Sequence, residues 1–263
     1  MALTQEQRTR LAEAARDICI LAGQEILRIY AAPFEVRDKS DHSPVTEADE
    51  AAERLILDCL RGLALAFPIV AEESAAHGDI PALDGRPFWL VDPLDGTREF
   101  ISRNGEFTVN IALIEAGSPV LGAVHVPVLG RTYYAGGPGH AFRQEQDRTT
   151  QPIRARLAGR DGLVVVASRS HLDPLTRDHI AGLQVARFTE AGSSLKFCLL
   201  AEGVADHYPR FGRTMEWDTA AGHAVLLAAG GSVRTLDGMD LRYGKPGFEN
   251  PPFIAHGREA SGK

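Results

Sequence analysis

Asp92-Pro93-Leu94-Asp95-Gly96-Thr97 is the stretch on which the reading of this chain turns. It follows Pro87-Phe88-Trp89-Leu90-Val91, an apolar, aromatic run suited to a buried strand. Proline has no N–H to give to a ladder, so the strand is expected to stop at Pro93 and leave Asp92 at its carboxyl end. Gly96 permits a tight turn, and a short helix beginning near Thr97 would turn the amides of residues 96 and 97 into an anion cradle. Hard oxygen ligands and phosphate donors would then share one rim, as in a metal-dependent phosphatase core.

Rival readings of the same acids are weaker. A calcium loop needs oxygen donors at alternating positions, but Leu94 stands two after Asp92 and no glutamate falls at the twelfth position. An aspartyl-phosphate enzyme would want Asp-x-Asp, and the spacing here is Asp-x-x-Asp. The plainest alternative is an Asp-Gly turn with solvated acids.

Composition fits an ordinary globular enzyme. At 263 residues, 44% of them hydrophobic, the chain can bury a substantial core as one large domain or two in contact. A net charge of -7, from 28 basic and 35 acidic residues, argues against nucleic-acid binding and gives no polybasic membrane patch. Cys19, Cys59 and Cys198 sit in apolar contexts without C-x-x-C spacing, which points to reduced, buried thiols and a cytoplasmic setting. Met1 to Arg10 carry no hydrophobic signal core, and no later segment has the length of a membrane span.

Outward from the hexapeptide, Thr4 and Gln7 form a capping box ahead of a long helix with Leu11, Ile18, Leu21 and Ile29 at helical spacing. A second helix is expected from about Thr46 through Leu63. Val109 to Glu115, Pro119 to Val126 and Arg131 to Ala135 read as an antiparallel meander. The polar stretch Arg143 to Arg148 reads as a surface excursion or domain junction, dividing an α+β half, residues 1–148, from an α/β half, residues 149–263. In that second half, strands at Leu163 to Ala167 and Gln184 to Thr189 alternate with helices after His171, from Ser193 to Glu202 and from Thr219 to Ala229.

One Asp-x-x-Asp pair cannot fill a magnesium shell, so further acids must come from elsewhere. Candidates are Glu72, where Ile69-Val70-Ala71 runs into Glu72-Glu73, and Asp218 in Glu216-Trp217-Asp218-Thr219, a natural helix N-cap. Capping alone is the plainer role for Asp218, and a solvated strand end for Glu72. Lys39 to Asp49 taken alone is a polar loop followed by a Thr-capped helix. His223 and Cys198 read as packed residues, and Trp217 as core beneath Asp218.

Together, in this order, the stretches around Pro44 to Asp49, Glu72-Glu73-Ser74, Asp92 to Thr97 and Trp217 to Gly222 resemble the signatures of the inositol monophosphatase-like, lithium-sensitive phosphatase superfamily. The resemblance implies a layered α-β-α-β-α sandwich of the sugar-phosphatase type, with two or three Mg2+ ions. It implies ligands at Glu72, Asp92, the Leu94 carbonyl, Asp95 and Asp218, with Asp49 and Thr97 activating the attacking water. Further stretches, including Ser168-Arg169-Ser170-His171, Gly192-Ser193-Ser194-Leu195-Lys196-Phe197 and Asn250-Pro251-Pro252-Phe253, resemble bacterial 3'(2'),5'-bisphosphate nucleotidases, enzymes of sulfur metabolism. These hydrolyse 3'-phosphoadenosine 5'-phosphate to AMP. Ala71 departs from the glycine common before the glutamate pair.

The resemblance places substrate at Gly96, Thr97, Asp218, His171, Ser194, Lys196 and Arg210, the last two expected on the second phosphate. Taken alone, Lys196 reads as a solvated helix lysine, Arg210 as a loop cation and His171 as a helix cap. The implied partner is a phosphorylated nucleotide, with a homodimer as the alternative to a monomer. An inositol or sugar-phosphate phosphatase is the rival enzyme, and a non-catalytic phosphate-ligand sensor the rival of another class.

Overall fold

The computed structural model describes residues 3–38 and 44–259. Of the polar loop read above, Lys39 to Ser43 therefore lie outside the described residues, as do Met1 and Ala2.

Thr4 caps α1 (Gln5–Tyr30): its hydroxyl accepts the Gln7 N–H, and the Gln7 side chain accepts the Thr4 N–H. A short hairpin of β1 (Val36–Asp38) and β2 (Pro44–Thr46) leads into α2 (Glu47–Arg61). Next come β3 (Ile69–Ala71), α3 (Glu72–Ala76), β4 (Phe88–Asp95) and α4 (Thr97–Ile101). The expected meander follows as β5 (Thr108–Glu115), β6 (Ser118–Val126) and β7 (Arg131–Ala135), extended by β8 (Ala141–Gln144) and β9 (Thr150–Pro152). Beyond it lie β10 (Leu163–Ser168), α5 (Pro174–Ala181), β11 (Val185–Ala191), α6 (Leu195–Ala201), β12 (His207–Arg210), α7 (Glu216–Ala228), β13 (Ser232–Thr235) and β14 (Phe253–His256).

A seven-stranded sheet runs β3-β4-β5-β6-β7-β8-β9, antiparallel except for β3 beside β4. A five-stranded sheet runs β11-β10-β12-β14-β13 and is mixed. Because side chains alternate along a strand, the large sheet feeds two cores. Trp89, Val91, Ile111 and Leu113 pack with Ile18, Ile26 and Ile56 of α1 and α2. Leu90, Ala112, Ile114 and Val124 pack on the other side with Phe197, Cys198, Val225 and Leu226 of α6 and α7 and with the small sheet. With α5 against β12, the order of layers is α-β-α-β-α. Gly122 lets α7 lie close, since a Cβ there would stand 2.8 Å from the Ala221 carbonyl.

Three sequence expectations are corrected. β4 does not end at Pro93 but continues to Asp95 through a register shift, and the proline occupies the bulge, where no ladder bond is asked of it. Arg143 and Gln144 belong to strand β8, because Arg143 pairs in register with Tyr133; the polar turn is limited to the residues after them. Asp218 sits inside α7 rather than at its N-cap, and its carboxylate reaches back to accept the Met215 N–H at 2.8 Å.

Candidate active site

The bulge in β4 sets the geometry of the acids. The ladder with β5 runs to Asp92 opposite Asn110 and resumes at Asp95 opposite Thr108, so one extra residue is accommodated on β4. The Leu94 N–H turns onto Asp92 Oδ1 at 3.1 Å. Gly96 then takes φ +94 and starts α4, whose first N–H groups have no acceptor within the helix. A side chain at Gly96 would press on the Glu99 carboxylate and the Phe107 backbone.

Asp49 is brought to this turn by helix capping. Its Oδ2 accepts the Thr46 N–H at 2.8 Å and the Thr46 hydroxyl at 2.7 Å, closing the box at the start of α2. Its Oδ1 accepts the Thr97 hydroxyl at 3.1 Å.

Glu72 opens α3, and its placement depends on a residue that no sequence signal marked. Glu53, buried on α2, accepts the Glu73 N–H at 2.8 Å, the Ser74 N–H at 2.8 Å and the Ser74 hydroxyl at 2.6 Å. Within α2 alone Glu53 is one helix acid among several. Its partners lie across a loop of the fold.

Asp95 and Asp218 are braced by Ser194. The Ser194 N–H donates to Asp95 Oδ2 at 2.6 Å and its hydroxyl to the Asp218 carbonyl at 2.6 Å, while Asn110 donates to both Asp95 and Ser194. Ser194, read from sequence as a substrate contact, is thus only 1% exposed and spent on bracing. Its neighbour Ser193, which the sequence reading passed over, lines the cavity at φ +45 with a buried hydroxyl lacking any partner among the described residues.

Burial, reinforced by Glu72, Asp95 and Asp218, holds the Asp92 carboxyl well above the ordinary aspartate range. Burial, then Asp95 and Glu72, does the same to Asp218. Burial raises Asp95 to about 6 against the opposing pull of Lys196. This crowding of like charge is what a cation would relieve.

Two buried cations line the same cavity. Lys196 is 4% exposed, donates to the Ala191 and Ser193 carbonyls and lies over the Tyr208 ring; burial, partly offset by Asp95, lowers its pKa to about 8. Arg210 donates to the carbonyls of His171 and Arg213, both at 3.0 Å, and its Nε is buried with no partner among the described residues. His171 Nε2 lies 3.2 Å from Arg98 Nη1; burial, then Arg210 and Arg98, lowers its pKa. The expectation of surface positions for Lys196 and Arg210 gives way to burial. His223 is packed, with Nδ1 2.8 Å from the Tyr243 hydroxyl, and Cys198 is in the core.

One cavity of about 620 Å³ gathers Glu72, Asp92, Leu94, Asp95, Gly96, Thr97, His171, Lys196, Arg210 and Asp218. Asp49 lies behind Thr97. Among the described residues no three Asp, Glu, His or Cys side chains close on a common point tightly enough to hold a metal ion as they stand. The donor chemistry nevertheless fits a hard cation. Magnesium is usually held by one or two carboxylates with waters and substrate phosphate completing the shell, and burial and mutual repulsion hold Asp92, Asp95 and Asp218 toward their protonated forms, a penalty that a bound cation would relieve.

Residues 7–260 match the model of the inositol monophosphatase family. The chain is 49% identical over 241 residues to the 3'(2'),5'-bisphosphate nucleotidase CysQ of Salmonella typhimurium, covering 88% of this chain and 94% of that protein. It is 46% identical over 237 residues to the enzyme of the same name from Escherichia coli K12, with the same 88% and 94% coverage. Among solved structures it is similar to CysQ from Bacteroides thetaiotaomicron, with TM-score 0.80, 39% identity and 95% and 98% of the two chains covered. An inositol monophosphatase from Anabaena superposes with TM-score 0.75 at 25% identity, covering 94% and 90%.

Proposed function

The chain belongs to the inositol monophosphatase family, and on that premise we propose that it is a 3'(2'),5'-bisphosphate nucleotidase that hydrolyses 3'-phosphoadenosine 5'-phosphate to AMP and phosphate. The observation that carries the reading is the sharing of one cavity by the acid cluster and by Lys196 and Arg210, the latter with an unpartnered Nε. A phosphomonoester needs only the acids. Buried cations lining the same cavity suit a substrate with a second phosphate.

In this reading Glu72, Asp92, the Leu94 carbonyl, Asp95 and Asp218 would hold magnesium, two or three ions in all. When bound, the ions neutralise the carboxylates and polarise the phosphoryl oxygens. The first amides of α4 receive the phosphate that is cleaved. Thr97 Oγ1, its proton directed at Asp49 Oδ1 3.1 Å away, presents a lone pair to the attacking water. As the water oxygen bonds to phosphorus, its proton passes to Thr97 and the Thr97 proton to Asp49. The ester P–O bond breaks, and the departing 3' oxygen is protonated from solvent. No covalent phosphoenzyme is required. Lys196 and Arg210 hold the 5'-phosphate throughout, which fixes the 3' ester on the acids and removes much of the entropic barrier.

A substrate panel tests this. Adenosine 3',5'-bisphosphate should exceed inositol 1-phosphate and simple sugar phosphates in kcat/KM, with phosphate release dependent on magnesium and inhibited by lithium. Preference for inositol 1-phosphate would transfer the chain to its family's monophosphatase branch, and absence of phosphate release from every substrate would make it a sensor.

A further inference from the structure

The buried ammonium of Lys196 is aimed by the backbone around it. It has three N–H groups, and the carbonyls of Ala191 and Ser193 take two of them. One donor is left for a ligand in the cavity that Lys196 lines. Its direction is therefore set by the turn Ala191-Gly192-Ser193, which carries both acceptors.

That turn needs support from outside itself. Ser193 stands at φ +45, in the left-handed region that a residue with a side chain seldom enters. Such a conformation persists only where its surroundings over-determine it. On one side of Ser193, the Ser194 N–H is bound to Asp95. On the other, the Gly192 N–H donates to Glu106 Oε2 at 2.8 Å. Gly192 also lies hard against that residue, since a Cβ there would stand 2.7 Å from the Glu106 carbonyl oxygen and 2.9 Å from the Glu106 Cβ.

Glu106 is itself fixed. Arg169 grips its carboxylate in bidentate fashion, Nε on Oε2 and Nη2 on Oε1, each at 2.9 Å. The same arginine donates Nη2 to the Glu190 carbonyl at 3.1 Å and its backbone N–H to the Ala191 carbonyl at 3.2 Å, so it also holds the end of β11 that enters the turn. Next to Glu106 in the chain, Phe107 is fully buried against Tyr30 and Phe100. It leads into β5, the partner of β4. Glu106 thereby ties the Lys196 turn to the strands that carry Asp92 and Asp95, and the spacing between acids and ammonium runs through this clamp.

We propose that Glu106, gripped by Arg169, is the positioning residue for Lys196: it holds the Ala191–Ser193 turn so that the remaining ammonium N–H meets the second phosphate, and so it sets part of the preference for a bisphosphate. The inference rests on the bisphosphate nucleotidase reading above. Neither Glu106 nor Arg169 lines the cavity, so their effect passes through the turn. Three variants test it. Glu106→Ala removes the acceptor of the Gly192 N–H, and Glu106→Gln keeps an acceptor oxygen in its place. Arg169→Ala, at a side chain 43% exposed, releases the carboxylate and serves if Glu106→Ala does not fold. Each is assayed on adenosine 3',5'-bisphosphate and on adenosine 3'-monophosphate, the same leaving nucleoside without the 5'-phosphate.

A charge-assisted contact to phosphate is worth about tenfold or more in affinity. Glu106→Ala should therefore lower kcat/KM for the bisphosphate about tenfold, while kcat and KM for the monophosphate stay within about twofold of the parent. Arg169→Ala should shift the same ratio in the same direction by a smaller factor, and Glu106→Gln should recover most of the loss. An equal fall on both substrates would leave Glu106 a structural clamp and overturn the assignment, as would a bisphosphate kcat/KM that does not move. Failure of the nucleotidase reading is separate: there the parent itself would not prefer adenosine 3',5'-bisphosphate to the monophosphate or to inositol 1-phosphate.

Discussion

Thr97 Oγ1 donates to Asp49 Oδ1 across 3.1 Å, joining residues 48 positions apart in the chain. The other oxygen of Asp49 is taken by the Thr46 N–H and hydroxyl, so the carboxylate cannot rotate away without opening the cap of α2. A helix cap thereby orients the pair assigned to activate water.

Thr97→Ala should accordingly lower kcat by about 10²- to 10⁴-fold with little change in KM, because a proton-transfer route is lost while the α4 amides stay. Thr97→Ser should recover most of the rate. Steady-state kinetics check both, and a loss confined to KM would make Thr97 a binding residue.

Asp92→Asn should abolish most turnover and raise the melting temperature in chelator. Burial and the neighbouring acids lift the Asp92 pKa in the folded state. A raised folded pKa contributes stability at low pH that is lost as pH rises through it, so the metal-free parent should weaken toward alkaline pH more steeply than the variant. Melting in chelator at pH 5 and pH 8 measures the difference. Full magnesium-dependent activity in the variant would remove Asp92 from the metal site.

Lys196→Ala/Arg210→Ala should erase most of the preference for a bisphosphate while leaving hydrolysis of small phosphomonoesters. Each charge-assisted contact to phosphate is worth about 1.5–3 kcal/mol, so two give roughly a hundredfold or more in specificity. The ratio of kcat/KM for adenosine 3',5'-bisphosphate and inositol 1-phosphate, before and after, is the readout.

Glu53→Ala should cost about 2–4 kcal/mol, since three donors at the start of α3 lose a charged acceptor. It should also weaken magnesium binding by calorimetry, because Glu72 sits on the same turn. Destabilisation with parental magnesium affinity would confine Glu53 to a structural part.

His125 offers a pH test remote from the acids. Burial lowers its pKa to about 4, and its Nδ1 lies 2.8 Å from Thr132 Oγ1. The unfolded chain binds a proton near pH 6.5 that the folded chain refuses, so the stability this histidine allows is full above that pH and falls on acidification toward pH 4. Against His125→Asn, the parent should lose about 1.4 kcal/mol per pH unit across that window and nothing above pH 7. Urea midpoints along the pH range read the gap, and parallel curves would mean that His125 titrates normally.

The sequence by itself determined what depends on near neighbours. The Thr4 and Thr46 caps, the meander of β5 to β7 and the turn at Gly96 are all written in spacings of a few residues, because capping, pleat and turn energies act over that range. The order of the four acidic stretches was also legible, but only as a resemblance; no spacing in the chain relates Glu72 to Asp218.

Tertiary structure decided which side chains face which way once distant segments met. The bulge at Pro93 kept β4 running to Asp95, a left-handed Ser193 turned its neighbour Ser194 inward as a brace, and α3 landed with its N–H groups on Glu53. Lys196 and Arg210 look like surface cations until α6 and β12 are packed behind the large sheet. Burial, desolvation and partnership between groups a hundred residues apart are properties of that packing, and no local pattern carries them.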